Sequence, residues 1–389
     1  MKDHYFLSQP HQPFFVLGFV NALLSMFIFM LLFKGILISE ILPRDYHAYS
    51  LLYLMFTPAF LAFIFTTYPR FSATPPIEKV VYLTILTPFV VGSLLVLLGI
   101  TLFSTLMGMG MVITLIGHLL AVNILRKIYN ATTMSDKHDL FWILIAMALG
   151  GLSHLLFVIG YLWAIPGLIG FAIQVGVYLY LFLLAFSVAQ RMVPFFSHCT
   201  VERDPNLLKT MAILLAGRVV LETIHPHLSF IADFALMYLV GLHLISWNLP
   251  FPNPNPLLWI LHLALFWVPI GFGIAGLSNV IAIFTQSNML FLDIHLLVLG
   301  FVFTILIGFG TRVTLGHSGN AMVADRWTTI LFYWTQVVVI SRMMTSVITA
   351  LGWNFLFWFD ITITVWMVLF GIWASRFFGV LIFGKKLKG

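Results

Sequence analysis

The chain has 389 residues, of which 61% are hydrophobic and 8% charged, with a mean hydropathy of +1.06 and a formal net charge of +6. Soluble domains carry about 25% charged residues, so this composition excludes a water-soluble enzyme and specifies an all-α polytopic membrane protein. A single cysteine, Cys199, excludes an intramolecular disulfide, a cysteine-held iron-sulfur centre and the Cys-x-x-Cys-His attachment of haem, so any haem would be held by coordination alone.

Apolar runs of bilayer length predict about twelve spans, at 13–38, 48–69, 79–103, 105–126, 139–163, 166–192, 207–224, 228–247, 256–279, 290–312, 327–350 and 353–378. The first run lacks a small-residue cleavage site and reads as a retained span. With this count the 19 lysines and arginines, apart from Lys34, Arg44, Arg218 and Arg342, fall on one side, from Lys2 through Arg203 to Lys388. The positive-inside rule then predicts that both termini are cytoplasmic, in the inner membrane if the source is bacterial. Charges that rim a membrane also argue against a nucleic-acid partner. The expected organisation is one transmembrane domain over 1–389, in two six-helix halves, 1–196 and 207–389, joined by a polar cytoplasmic linker. No internal repeat relates the halves.

In chain order, the first span opens QPHQPFFVLG, with His11 and Gln12 just outside it and Pro13 in the first turn. His47, in DYHAYSLLYL, stands at the outer mouth of the second span. Pro58 should kink that span and free a carbonyl for a neighbour to satisfy. His118 falls in the inner half of the fourth span and His154 near mid-depth in the fifth. Arg218 and Glu222 in the seventh are spaced for a salt bridge along one face, and His225-Pro226-His227 follows at the outer surface. His243 lies toward the cytoplasmic end of the eighth span, and His262 about one and a half turns inside that face in the ninth. The tenth span, within DIHLLVLGFVFTILIGFGTRVTLGHSGN, is apolar in the middle and polar at both ends. Asp293 and His295 are near one membrane face and Arg312 and His317 at the other. Gly300, Gly308 and Gly310 leave room for a flat group, for which a haem is the expectation, or for the close approach of another helix. Arg342, followed by Met343 and Met344, lies deep in the eleventh span.

Thirteen histidines in so apolar a chain are more than packing requires. Each one alone reads as a packed imidazole bonded to a carbonyl. Together they suggest metal chemistry, because a neutral imidazole is cheap to bury and ligates both haem iron and copper. They sort by depth into an outer set (His47, His225, His227, His295) and an inner set (His118, His243, His262, His317), with His154 between. Arg312 is either a positive-inside anchor or the partner of a haem propionate or a quinol head group. Arg342 is either a propionate partner or paired with an intramembrane acid such as Glu222. The methionines beside it are core filler or a soft copper site. The adjacent histidines of a haem-copper oxidase, the His-Glu-x-x-His of a zincin and a phosphate-binding glycine loop are all absent. Scarcity of acids in the spans weakens a proton-coupled transporter.

The run TRVTLGHSGN resembles the T-R-(A/V)-(S/T)-L-G-H-T-G signature of the NnrS family, and four other stretches agree with that family in order along the chain. HQPFFVLG is similar to H-R-P-F-F-L, YHAYSLLYL with TTYPRF to W-H-A-H-E-M-L-F-G with T-A-V-P-x-W, LHLALFWVPIG to L-H-x-x-x-x-W, and RMVPFF to R-x-I-P-F-F. The resemblance implies a twelve-helix inner-membrane protein that binds haem b and copper and acts in bacterial nitric oxide metabolism. It places His47, His262, His295, His317 and Arg312 on family positions, as cofactor ligands and a propionate or quinol contact. Tyr49 and Ser50 stand where the pattern has histidine and glutamate, and Gln12 where it has arginine. The leading expectation is reduction of NO at a metal centre in the bundle, with electrons from quinol or a haem relay. The alternatives are a non-catalytic haem or copper protein that binds NO or exchanges metal, and a small-molecule transporter.

Overall fold

In hydrocarbon no water satisfies a peptide group, so a chain of this composition must close its hydrogen bonds within helices. A computed structural model describes residues 5–201, 204–287 and 289–387, and among them the regular secondary structure is all helix, with no strand. Lys2, Arg203 and Lys388 of the expected basic face lie outside the described residues. After a short 3₁₀ turn at Tyr5–Leu7 come twelve helices: α1 (His11–Phe33), α2 (Pro43–Phe71), α3 (Lys79–Gly99), α4 (Ser104–Ala131), α5 (His138–Leu162), α6 (Pro166–Phe196), α7 (Leu207–Ile224), α8 (Phe230–Trp247), α9 (Pro256–Thr285), α10 (Leu292–His317), α11 (Arg326–Ala350) and α12 (Phe355–Phe383). Eleven are long and apolar enough to cross a bilayer. The exception is α7, in which Lys209, Arg218 and Glu222 interrupt the apolar run.

A helix is present at each expected span, and the helix ends differ from expectation for local reasons. Helix α1 stops at Phe33, short of the expected residue 38. Gly35 enters the left-handed region at φ +69°, and the amide of Ile36 closes back onto the Leu31 carbonyl. Helix α2 begins at Pro43, so His47 belongs to its first turns and not to a loop mouth. Helix α10 runs five residues past Arg312 and ends at His317, just before Gly319 at φ +64°.

By internal contacts the chain forms two compact units. The first holds residues 1–176, 313–321 and 370–389, and the second holds 177–312 and 322–369. In the first, α2 is the most enveloped helix, 89% buried over its apolar window. Pro58 cannot donate to the Leu54 carbonyl, and Asn21 of α1 supplies the missing donor at 2.7 Å while also bonding Ser93 of α3. The turns before Pro58, Ser50–Phe56, are π-helical, and Thr57 returns its hydroxyl to the Leu52 carbonyl. Phe19 of α1 stacks on Trp373 of α12 with centroids 3.9 Å apart.

In the second unit α10 carries its own π-helical stretch, Leu296–Phe303, closed by the same device, Thr304 to the Leu299 carbonyl. Here the small residues of α10 find their occupant. A Cβ at Gly300 would lie 2.8 Å from the Trp267 ring, and one at Gly308 would lie 2.6 Å from the Leu261 side chain. The expected flat group at these glycines is therefore not a haem. Helix α9 fills the space, with an indole at one glycine and a leucine at the other.

Candidate functional site

Four buried polar groups define what the first unit can do. His154 of α5 is fully enclosed and stacks flat on Tyr53 of α2, with centroids 3.9 Å apart and planes 9° from parallel. Its Nε2 bonds the hydroxyl of Tyr49 at 3.1 Å, and its Nδ1 has no hydrogen-bond partner. Tyr53 donates to Ser153, which donates in turn to the Ala172 carbonyl. His118 of α4 is also fully buried, its ring 5.7 Å from that of His154. Tyr49, which stands where the resemblance expects a histidine, thus has an imidazole as its partner. His47 packs on Phe29 at 4.3 Å.

At the end of the same unit where the first helix begins, His11 is only 2% exposed and its Nδ1 has no partner. The ring of His317 lies 4.8 Å away, and His317 Nδ1 donates to the side-chain oxygen of Gln9 at 2.7 Å. His11 was expected just outside the first span, but it is the first residue of α1 and is covered.

The second unit contains a buried cluster of opposite charges. Arg218 is wholly enclosed, donating from Nε to Asp233 at 2.7 Å and from Nη2 to Asp293 at 2.6 Å, with its guanidinium 3.7 Å above the Tyr178 ring. Tyr178 donates to Asp293 at 3.3 Å, and Asn279 donates to the other oxygen of Asp233 at 3.1 Å. The Arg218–Glu222 bridge suggested by their spacing is replaced by this arrangement. One helix face offers a single carboxylate, whereas an enclosed guanidinium requires acceptors on several sides. Glu222 instead accepts from the His227 amide. Tyr178 and Asn279 were not singled out in the sequence. The signal that could have found them is indirect: a cation and two acids in separate spans of an acid-poor chain must converge, and their convergence recruits polar neighbours.

The remaining histidines of this unit are mostly engaged. His225 Nδ1 bonds the Pro226 carbonyl, and His227 Nδ1 donates to Asn279. His243 faces the Leu239 carbonyl with one nitrogen and the Asp204 carboxylate with the other, which leaves neither for a metal. His295 Nδ1 lies 2.8 Å from the Phe291 carbonyl and 3.2 Å from Arg342 Nη2. The shorter contact assigns the proton to Nδ1, and Arg342 directs its donors to the Leu290 carbonyl and Ser346, not to Glu222.

His262 and Arg312 are different. His262 is fully buried, with Nε2 bonded to Ser197 at 2.6 Å and Nδ1 without a partner. Arg312 lies 4.1 Å over the ring of Phe196, the neighbour of Ser197. It makes only a long 3.5 Å contact to the Leu257 carbonyl, and its Nε has no partner. The Phe196–Ser197 step at the end of α6 therefore brings together two of the expected site residues.

Among the described residues no three histidine, cysteine, aspartate or glutamate side chains converge where they could hold a metal ion. A cleft of about 750 Å³ in the first unit is lined by Glu40, Asp45, Ser104, Thr105, Tyr161 and apolar side chains and contains no histidine. The family model described as NnrS protein matches residues 5–383, nearly the whole chain. No curated protein matches it.

Proposed function

Because the chain belongs to the NnrS family, a nitric-oxide-related family of membrane proteins, we propose that it binds haem and reduces NO within its helix bundle, in a bacterial inner membrane with both termini cytoplasmic. The observation that carries this reading is the pair of unsatisfied groups around Phe196 and Ser197: the buried Nδ1 of His262 and the Nε of Arg312. This donor set suits a haem, with a neutral imidazole for the iron and a guanidinium for a propionate. Bound there, haem would supply an iron that takes NO and passes electrons delivered by quinol or a haem relay.

The chain's own residues have separate tasks in this reading. Ser197 receives the Nε2 proton of His262, which fixes the ring and keeps the lone pair on Nδ1. Phe196 supports the guanidinium of Arg312, whose donors are largely uncommitted and available to an anion. Full burial of His262 excludes water from the imidazole face.

The test is the absorption spectrum of detergent-purified protein, reduced and then exposed to NO without oxygen. The expected result is Soret and alpha bands that shift and then recover as NO is consumed under supplied electrons. His262→Ala should remove the bands while the protein still elutes as a single folded species, and Arg312→Gln should weaken haem retention. A stable shift without consumption would restrict the role to NO binding. No band after expression with ample haem would overturn the reading and restore transport.

A further inference from the structure

The cleft of the first unit contains no histidine and takes no part in the haem reading. We propose that it holds one phospholipid with a primary ammonium head group, phosphatidylethanolamine, drawn from the membrane leaflet around it. Its walls come from the connection between α1 and α2, the first turns of α4 and the turn from α5 to α6, all within one unit.

The shape suits an amphiphile. A volume of about 750 Å³ lies within the range of small-molecule sites, roughly 300–1,000 Å³. Along α4 the lining runs from Ser104 and Thr105 through Met109 to Val112 and Ile113, positions three and four apart that share one face. That face extends about 13 Å from the helix start, which gives the cleft a polar end and a long apolar wall. The chain segments around the polar end are apolar as well. Ile38, in the connection that bears Glu40, is 88% exposed, Phe103, just before α4, is 68% exposed, and Trp163, in the turn after α5, is 66% exposed. Such side chains at helix ends sit in the interfacial layer of a bilayer. The cleft therefore opens to lipid, and its occupant enters from lipid.

The charges select the head group. Asp45 is neutralised by Arg44, whose Nε donates to it at 2.9 Å. Glu40 is exposed and makes no ion pair among the described residues. A carboxylate beside Ile41 and Leu42 at the edge of the hydrocarbon is costly unless a cation meets it. Tyr161 donates to the Ser104 carbonyl at 3.4 Å, and its oxygen keeps lone pairs for another donor. Two acceptors of this kind suit an ammonium that carries N–H groups. A quaternary ammonium carries none, and Tyr161 is the single aromatic ring among the described lining residues, too few for the cage such a group needs. No lysine or arginine is among them either, so a head group of net negative charge has no partner. The phosphate of a zwitterion is met by the amides that open α4. Phe103, the residue before that helix, supplies no capping side chain, and the first turn contains no acid.

A lipid so placed bridges Glu40, the start of α4 and the turn after α5. Because it binds the folded chain alone, it stabilises the fold by mass action.

The experiment uses the full-length protein, delipidated in detergent and followed by native mass spectrometry with phosphatidylethanolamine, phosphatidylcholine or phosphatidylglycerol of the same acyl chains. Wild type should hold one phosphatidylethanolamine about 10-fold more tightly than either other lipid, as a hydrogen bond to a charged group predicts, and that lipid should raise its Tm. Glu40→Gln should erase the preference and leave the Tm of the lipid-free protein unchanged, because the side chain is exposed and unpaired. Met109→Trp with Val112→Trp, which fills the apolar wall from exposed positions, should remove the retained phosphatidylethanolamine. Equal retention of the three lipids, or an undiminished preference in Glu40→Gln, would overturn the proposal. So would displacement of the lipid by equimolar phosphoethanolamine, which would mean a ligand from water, or by a short-chain quinol, which would give the cleft to the electron donor. Haem content should be the same in wild type and in both variants, so this outcome and that of the haem reading are read separately.

Discussion

Each unit holds a buried polar cluster, and the two clusters are built in opposite ways. In the first, Tyr49, Tyr53, His118 and His154 form a cluster that is neutral throughout, held by ring stacking and hydroxyl hydrogen bonds. In the second, Arg218, Asp233 and Asp293 are charged, and the group is tolerable only because each charge meets another, with Tyr178 stacked beneath the cation. A neutral cluster in a low-dielectric interior leaves one polar group unpaired when one bond is removed. A charged one exposes the full desolvation cost of whatever remains. The first is thus suited to rearranging around a ligand, and the second to being a fixed strut.

The largest effect should follow from breaking the charged cluster on one side only. Arg218→Met leaves the enclosed Asp233 and the partly buried Asp293 without their cation and should destabilise the protein by about 3–5 kcal/mol, seen as loss of folded yield or a large drop in Tm in detergent. Removing the charges together, as Arg218→Met with Asp233→Leu and Asp293→Leu, should recover most of that loss. A triple variant as unstable as the single one would mean that the cluster does more than cancel its own charge.

The neutral cluster should respond more mildly. Tyr49→Phe leaves Nε2 of His154 without its partner at constant ring volume, for a cost of about 1–3 kcal/mol. Tyr53→Phe should cost less, because Ser153 still donates to the Ala172 carbonyl. Equal losses in the two variants, measured by thermal unfolding, would show that the Tyr49–His154 bond has no special place in the cluster.

This contrast also shows what a sequence can carry. Helix number, and the positions of nearly all helices, follow from the length of apolar runs, which is a one-dimensional quantity. Where ends moved, as at Gly35 and Gly319, the cause was a positive φ that glycine permits but does not require. The helix that carries each of His262 and Arg312 could be read, but their proximity to the end of α6 could not. Tyr49 stood out as a departure from the family pattern, yet its partner His154 is 105 residues away. Spacing misled at Arg218, because a four-residue interval shows what one helix permits and says nothing of what its neighbours offer. Gly300 and Gly308 were rightly read as points of close approach, but only packing reveals that Trp267 and Leu261 fill them.

The smallest effect belongs to an exposed carboxylate in a connection between helices, which serves as the control for the other two. Asp204, between α6 and α7, accepts from the Asn206 amide and faces His243 Nε2 at 3.1 Å. Those contacts, the Asn206 amide first and His243 second, hold its carboxyl below the ordinary aspartate range. A carboxyl whose pKa is depressed by folding stabilises the fold fully above its unfolded pKa, and that contribution fades as pH falls through the folded value. Since Asp204 is largely solvated, Asp204→Asn should lower Tm only slightly at neutral pH, and added salt should shrink the difference further. Below the ordinary aspartate range the two proteins should unfold alike. If Asp204→Asn instead rivalled Arg218→Met, burial would not be what separates the strong cluster from the weak pair.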